Sequence, residues 1–131
     1  MNHMVTFLMG GMAFEYDENK NRINIEKHGI SFHNAARIFF DFDRIEYYDE
    51  KHSAAEDRYQ TIGDTSAGNS AAVEIDGTVY QSIGLINEIL FVVYTERVRT
   101  RKNGSQTEII RLISARLATS FERGLYYGKN G

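Results

Sequence analysis

The chain has 131 residues, 42% hydrophobic and 25% charged, with a net charge of −3 and no cysteine. That suits one globular domain with a modest core and excludes a disulfide framework or thiolate chemistry. No apolar run nears the ~20 residues of a membrane span. The total charge also lacks the basic excess usual in nucleic-acid binders. Its distribution is uneven, however: acidic residues crowd into Asp41–Asp57, whereas RVRTRK at Arg97–Lys102 supplies a local basic stretch.

MNHMVTFLMGGM lacks the basic segment of a secretory leader and is rich in methionine. Residues 1–12 are therefore expected to form a flexible extension to a single domain over 13–131, with the cytoplasm as the default compartment. Phe14–Tyr16 predicts a short strand. Asp17 stands at an N-cap position, Glu18–His28 predicts a polar helix, and Gly29 suits its C-terminal end. Ser31 caps a second helix whose Phe32, Ala35, Ala36, Phe39 and Phe40 recur at core-facing spacing. Asp41-Phe42-Asp43 breaks it.

From Ile45 onward the pattern turns to strands. The phrase YQTIG at Tyr59 returns as YQSIG at Tyr80. Asp76-Gly77 signals a hairpin over Val73–Ile83. The second copy runs through a short LINE turn into LFVVYTER. Strands joined so briefly normally pair, so that copy is expected at the sheet centre, with Tyr59–Ile62 displaced to an edge or elsewhere; the alternative is that RYQTIG keeps the central place and the residues after it bulge out as a loop.

Asn103-Gly104 suits a two-residue type I′ turn, with Lys102 opposite Ser105, Arg99 opposite Glu108 and Glu96 opposite Arg111. That register puts Arg111 on the face of Val92 and Tyr94, and Arg97, Arg99 and Arg116 on the other. Thr119-Ser120-Phe121-Glu122 is a capping box opening a last helix through Tyr127. The expected class is α+β, with helices packed on an antiparallel sheet.

The histidines His3, His28, His33 and His52 lack metal-binding spacing, and neither a nucleophile elbow nor a phosphate-binding glycine loop is present. Arginine is what remains. Arg58, Arg97, Arg111 and Arg116 lie on or beside strands, where a permanent charge and planar fork suit phosphate. Each could instead pair with a carboxylate, Arg111 with Glu96 above all; Arg97 and Arg116 have no evident partner. Glu56, two residues before Arg58, reads as a base held ionised or as a surface pair. His52 could serve as acid or base. Tyr126 offers a hydroxyl or simple packing. Arg99, Arg101 and Lys102 read as a solvated hairpin tip or as a track for a nucleic-acid backbone.

Four ordered stretches carry a resemblance: FEYDENKNRINIEKHGISF, HSAAEDRYQTIG, LFVVYTER and IIRLISARLATSFERGLYY. Together they resemble the BrnT family, toxins of type II toxin–antitoxin systems. The resemblance implies a RelE-like ribonuclease acting on RNA without a metal or other cofactor. It also implies a BrnA-type antitoxin with a ribbon-helix-helix domain, through which the complex would bind operator DNA, and no membrane association. Carried over by motif, the functional positions are Glu56, Arg58, Arg97, Arg111 and Arg116, with Glu122, Arg123 and Tyr126 in the terminal helix. The surplus between the two YQ(T/S)IG phrases implies an insertion at about 64–84. Two further readings stand beside the toxin. One is a catalytically degenerate relative that binds the antitoxin; the other is a phosphate- or nucleic-acid-binding domain outside any toxin system.

Overall fold

The computed structural model describes residues 3–68, 71–81 and 87–130. Eight strands form one sheet: β1 (Met4–Met9), β2 (Met12–Asp17), β3 (Ile45–Tyr48), β4 (Tyr59–Asp64), β5 (Ala72–Ile75), β6 (Thr78–Gln81), β7 (Ile89–Thr100) and β8 (Gln106–Leu117). Their spatial order is β3-β4-β7-β8-β2-β1-β5-β6. The β2–β8 contact is parallel and the others are antiparallel. Three helices complete the α+β fold: α1 (Glu18–His28), α2 (Phe32–Ala36), which runs on into a 3-10 turn, and α3 (Ser120–Asn130).

The first helices start and stop as their sequence dictates. The Asp17 side chain accepts from the amides of Asn19 and Lys20, and Gly29 closes α1 in the left-handed conformation. Asn24, in the middle of this polar helix, is buried. Its amide nitrogen donates to the carbonyls of Ile30 (2.9 Å) and Ala115 (2.7 Å), and its oxygen accepts from Ala115 N–H (3.1 Å). The helix is thus fixed to β8 by hydrogen bonds rather than by an apolar stripe. Ser31 caps α2. Phe32, Ala35, Ala36, Ile38 and Phe39 pack with Phe14, Leu90, Val92, Tyr94 and Leu112 in the main core.

Three expectations are corrected. Met4–Met9 is a strand rather than a flexible extension, with Phe7 and Met9 each 1% exposed. Gly10 and Gly11 both take positive φ, forming the two-residue turn that pairs β1 with β2.

The second correction concerns the repeated phrase. The first copy, not the second, holds the central place: Tyr59–Asp64 pairs with Tyr94–Ile89 on one side and with Tyr48–Ile45 on the other. Thr65 and Glu88 close this ladder reciprocally, Thr65 N–H on the Glu88 carbonyl and Glu88 N–H on Thr65 Oγ1, both at 3.0 Å. The chain therefore leaves the ladder after β4 and returns beside its point of departure, which keeps β4 and β7 adjacent despite the intervening residues. Within that excursion β5 and β6 form the hairpin around Asp76-Gly77, and Val79–Gln81 of the second phrase ends at the far edge of the sheet. Ser82, Ile83 and Gly84, and Leu85-Ile86 of the LINE turn, lie outside the described residues.

The third correction is the register of the last hairpin. Arg101 N–H donates to the Ser105 carbonyl, Gly104 N–H donates to the Arg101 carbonyl, and Gly104 alone in the loop has positive φ. This is a three-residue loop ending in a left-handed glycine, one residue longer than the I′ turn. Arg99 consequently faces Thr107, Glu96 faces Ile110 and Thr95 faces Arg111. The predicted Arg99–Glu108 and Glu96–Arg111 pairs do not form. Between Val93/Ser114 and Tyr94/Leu112 the register shifts, with Ile113 as the extra residue of a β-bulge.

Candidate active site

Alternation along β7 sends Leu90, Val92 and Tyr94 into the main core and Phe91, Val93, Thr95, Arg97 and Arg99 to the opposite face. The hairpin loop and the bulge together decide what joins them. Because a one-residue slip exchanges the faces, Arg111 falls on the side of Arg97 and Arg99, not on that of Tyr94. Glu15 of β2, opposite Arg111 in the parallel ladder, comes with it. At one end α3 covers this second face through a small core of Ile45, Ile62, Ile89 and Tyr126.

Next to α3 lies a groove of about 390 Å³ lined by Asp49, His52, Arg58, Gln60, Arg116 and parts of β7 and β8. The segment before β4 is shaped by its own hydrogen bonds. Asp49 N–H donates to the Arg58 carbonyl at 2.9 Å, and Ser53 Oγ donates to the Asp49 carbonyl while accepting from Arg58 N–H. Thr95 Oγ1 holds the Asp57 carbonyl at 2.7 Å. Asp49 caps the short turn at Glu50–His52, and its carboxylate lies 3.0 Å from His52 Nδ1. A carboxylate only accepts, so in the neutral ring Nδ1 carries the proton and Nε2 keeps the lone pair. Burial alone would raise the Asp49 carboxyl, but hydrogen bonds from His52 and Gln60 outweigh it and hold the group below its ordinary value. The Asp49 side chain is 5% exposed and that of His52 64%.

Arg58 Nε is buried without a hydrogen-bond partner among the described residues. Arg116 is bound on two sides: its guanidinium lies 4.1 Å from the Phe91 ring centroid and makes paired hydrogen bonds of 2.7 and 2.9 Å to Glu122. Glu122 also completes the predicted capping box, accepting from Thr119 N–H as its own N–H reaches Thr119 Oγ1.

Farther along the same face is a smaller hollow of about 200 Å³ lined by Glu15, Arg97, Arg99 and Arg111 among others. Arg111 Nε donates to Glu15 at 2.9 Å, while Arg97 Nε and Arg99 Nη2 approach its oxygens at 3.8 and 3.7 Å. Arg97 Nη2 bonds Glu56 at 3.0 Å. Arg97 and Arg116, for which the sequence shows no partner, thus both have one, and Arg111 takes Glu15 instead of Glu96.

The sequence-predicted residues divide accordingly. His52, Arg58 and Arg116 share the groove, whereas Arg97, Arg99 and Arg111 gather around Glu15, with Glu56 bonded to Arg97. Arg101 and Lys102 are exposed at the hairpin tip. Tyr126 lines neither hollow: it is 7% exposed, and its hydroxyl donates to Asp41 at 2.6 Å. Burial first, then the Asp41 bond, raises its pKa. Sequence reasoning missed Asp49, Gln60 and Glu15. The Asp49-x-x-His52 spacing signals the first, and an acid between the aromatics of FEY, in mid-strand, signals the last. Among the described residues no group of three or more His, Cys, Asp or Glu could hold a metal ion, and no helix is long and apolar enough to cross a membrane.

The sheet thus carries α2 on one face, and α3 beside the clustered arginines on the other. Residues 16–75 match the family model described as BrnT, the ribonuclease toxin of type II toxin–antitoxin systems. The match covers less than half of the chain and marks a similarity to that family over this stretch. It runs from the end of β2 to β5 and includes Asp49, His52, Glu56 and Arg58; β7, β8 and α3 lie beyond it. No curated protein matches the chain.

Proposed function

We propose that this chain is an endoribonuclease toxin whose cleavage centre is the groove of Asp49, His52, Arg58 and Arg116. The observation that carries the reading is the Asp49–His52 pair, set in the same groove as two guanidinium groups. His52 Nε2 takes the proton of an RNA 2′-hydroxyl, and the 2′-oxygen attacks the adjacent phosphorus. The bond to the 5′-oxygen breaks, leaving a 2′,3′-cyclic phosphate and a 5′-hydroxyl. The leaving oxygen takes its proton from water, since Tyr126 is turned into the core. Arg58 and Arg116 stabilise the phosphorane charge. Asp49 is a positioning residue that fixes the imidazole tautomer.

Glu56, already engaged by Arg97, gives way to His52 as base. The chemistry needs no metal in this scheme. The fold is read as a RelE-like variant, with the residues between Thr65 and Glu88 an insertion. The partner is a BrnA-type ribbon-helix-helix antitoxin that neutralises the toxin and carries the complex to operator DNA, and the pair works in the cytoplasm. The test is incubation of purified chain with RNA in EDTA. Fragments with cyclic phosphate ends, lost when the antitoxin is added, are the expected result. Cleavage abolished by EDTA and restored by a divalent metal overturns the metal-free scheme.

One observation favours a second reading. Arg97, Arg111 and Arg116 each already bond a carboxylate, which weakens their pull on phosphate and suits a degenerate, antitoxin-binding relative. Induced expression separates the two: growth arrest with RNA breakdown means toxin, and unaffected growth means the degenerate copy.

A further inference from the structure

Three guanidinium groups converge on the single carboxylate of Glu15. If their purpose were only to neutralise a buried acid, Arg111 would suffice. Among the described residues it makes the one side-chain contact to the Glu15 carboxylate at hydrogen-bonding distance, and Glu15 is 4% exposed. Arg97 and Arg99 approach without bonding it. Arg97 Nε is buried with no hydrogen-bond partner among the described residues, and the Arg99 side chain is 61% exposed. The cluster of Arg97, Arg99, Arg111, Glu15 and Glu56 therefore keeps one positive charge in excess and unused N–H donors around a small hollow. A single monoanion with several acceptor oxygens matches both the charge and the donors; a phosphodiester is such a group.

Position gives the hollow a meaning. Val93 lines the groove of His52, and Arg97 lines the Glu15 hollow. Both are on the same face of β7, four residues apart, or on the order of 13 Å at the usual strand rise. The intervening face residue is Thr95, buried, with its hydroxyl on the Asp57 carbonyl. Nothing charged on β7 separates the two hollows on this face.

We infer that the Glu15-centred hollow is a second phosphate subsite, which grips a non-scissile phosphodiester of the RNA strand and lays that strand along β7. The inference rests on the reading of the chain as a ribonuclease. Glu15 is the pivot that lets three like charges stand together, and Arg99 is the arm that closes on the phosphate.

The test is binding of a fully 2′-O-methylated, single-stranded decanucleotide RNA, which lacks the nucleophile and is not cut. Fluorescence anisotropy across a KCl series gives the slope of log K against log salt. For a single strand, each phosphate that the protein no longer neutralises reduces that slope by about 0.7. Arg99→Ala is expected to reduce it by about that amount and to weaken binding several-fold at low salt. Lys27→Ala, which removes an exposed charge from α1, is expected to leave the slope unchanged. Arg99 is exposed, so its replacement should not unfold the chain. The unmodified decanucleotide is cut in parallel by the parent chain. Cleavage by the parent with an Arg99→Ala slope equal to its own overturns the subsite alone, and weakened antitoxin binding in the same variant would assign the hollow to the partner protein. Equal slope changes in Arg99→Ala and Lys27→Ala also overturn it, reducing the effect to net charge. A parent chain that neither binds nor cuts RNA overturns the subsite and the ribonuclease reading together.

Discussion

Arg111 Nε donates to Oε1 of Glu15 at 2.9 Å across the parallel contact between β8 and β2. The side chain of Arg111 is 28% exposed and that of Glu15 5%. Removing Arg111 leaves a buried carboxylate with only distant cations, the situation in which a broken ion pair is most costly. Arg111→Ala is expected to destabilise the fold by about 3 kcal/mol. Arg99→Ala removes an exposed member of the same cluster and should cost under about 1 kcal/mol. Urea denaturation midpoints check the order, and an Arg111 variant as stable as the parent would deny Glu15 its dependence on that bond.

Asn24 satisfies two buried carbonyls and one buried N–H at once. Alanine there orphans all three and unties α1 from β8. The expected loss is on the order of 3 kcal/mol, seen as a lowered melting temperature. Because Asn24 is remote in role from the groove, RNA cleavage per folded molecule should persist below that temperature.

Glu122 has its carboxyl held below the usual range, chiefly by the hydrogen bond from Arg116, with burial opposing and the Thr119 amide adding to the effect. A group whose folded pKa is depressed contributes stability that is complete above its unfolded value. That contribution is lost as pH falls through the folded one. The docking of α3 should therefore weaken on acidification, and Glu122→Gln should flatten the acid limb of the stability profile. Melting temperatures from pH 7 downward measure this; parallel acid limbs for the two proteins would contradict it.

Local signals located most of the elements. Asp17, Gly29, Ser31 and the Thr119–Glu122 box each act through neighbours a few residues away, so their roles were legible in the sequence. The strands at Ile45, Tyr59 and Ile89 were legible too, but their partners were not. YQTIG and YQSIG are equally good strands, and the choice between them is made by Thr65 and Glu88 bonding across the excursion. The arginine site was half legible. Arg58 and Arg116 stood out by type, yet a loop of one extra residue at Gly104 and a compensating bulge at Ile113 decide which face Arg111 occupies. An alternation count alone cannot see either. Glu15 was hidden because its partners lie far along the chain and meet it only through the parallel β2–β8 contact. The first strand is masked by its methionine-rich composition, although Gly10 and Gly11 form the turn that pairs it with β2.

RNA cleavage centred on His52 is read most directly by the single-turnover rate of His52→Ala against the parent chain, on one RNA, in EDTA, at matched folded concentration. His52 is exposed and serves no core contact, so circular dichroism should not change. Loss of a general base predicts a rate lower by about 10²–10⁴-fold. A His52→Ala chain that cuts at the parental rate would contradict the assignment of this groove as the cleavage centre.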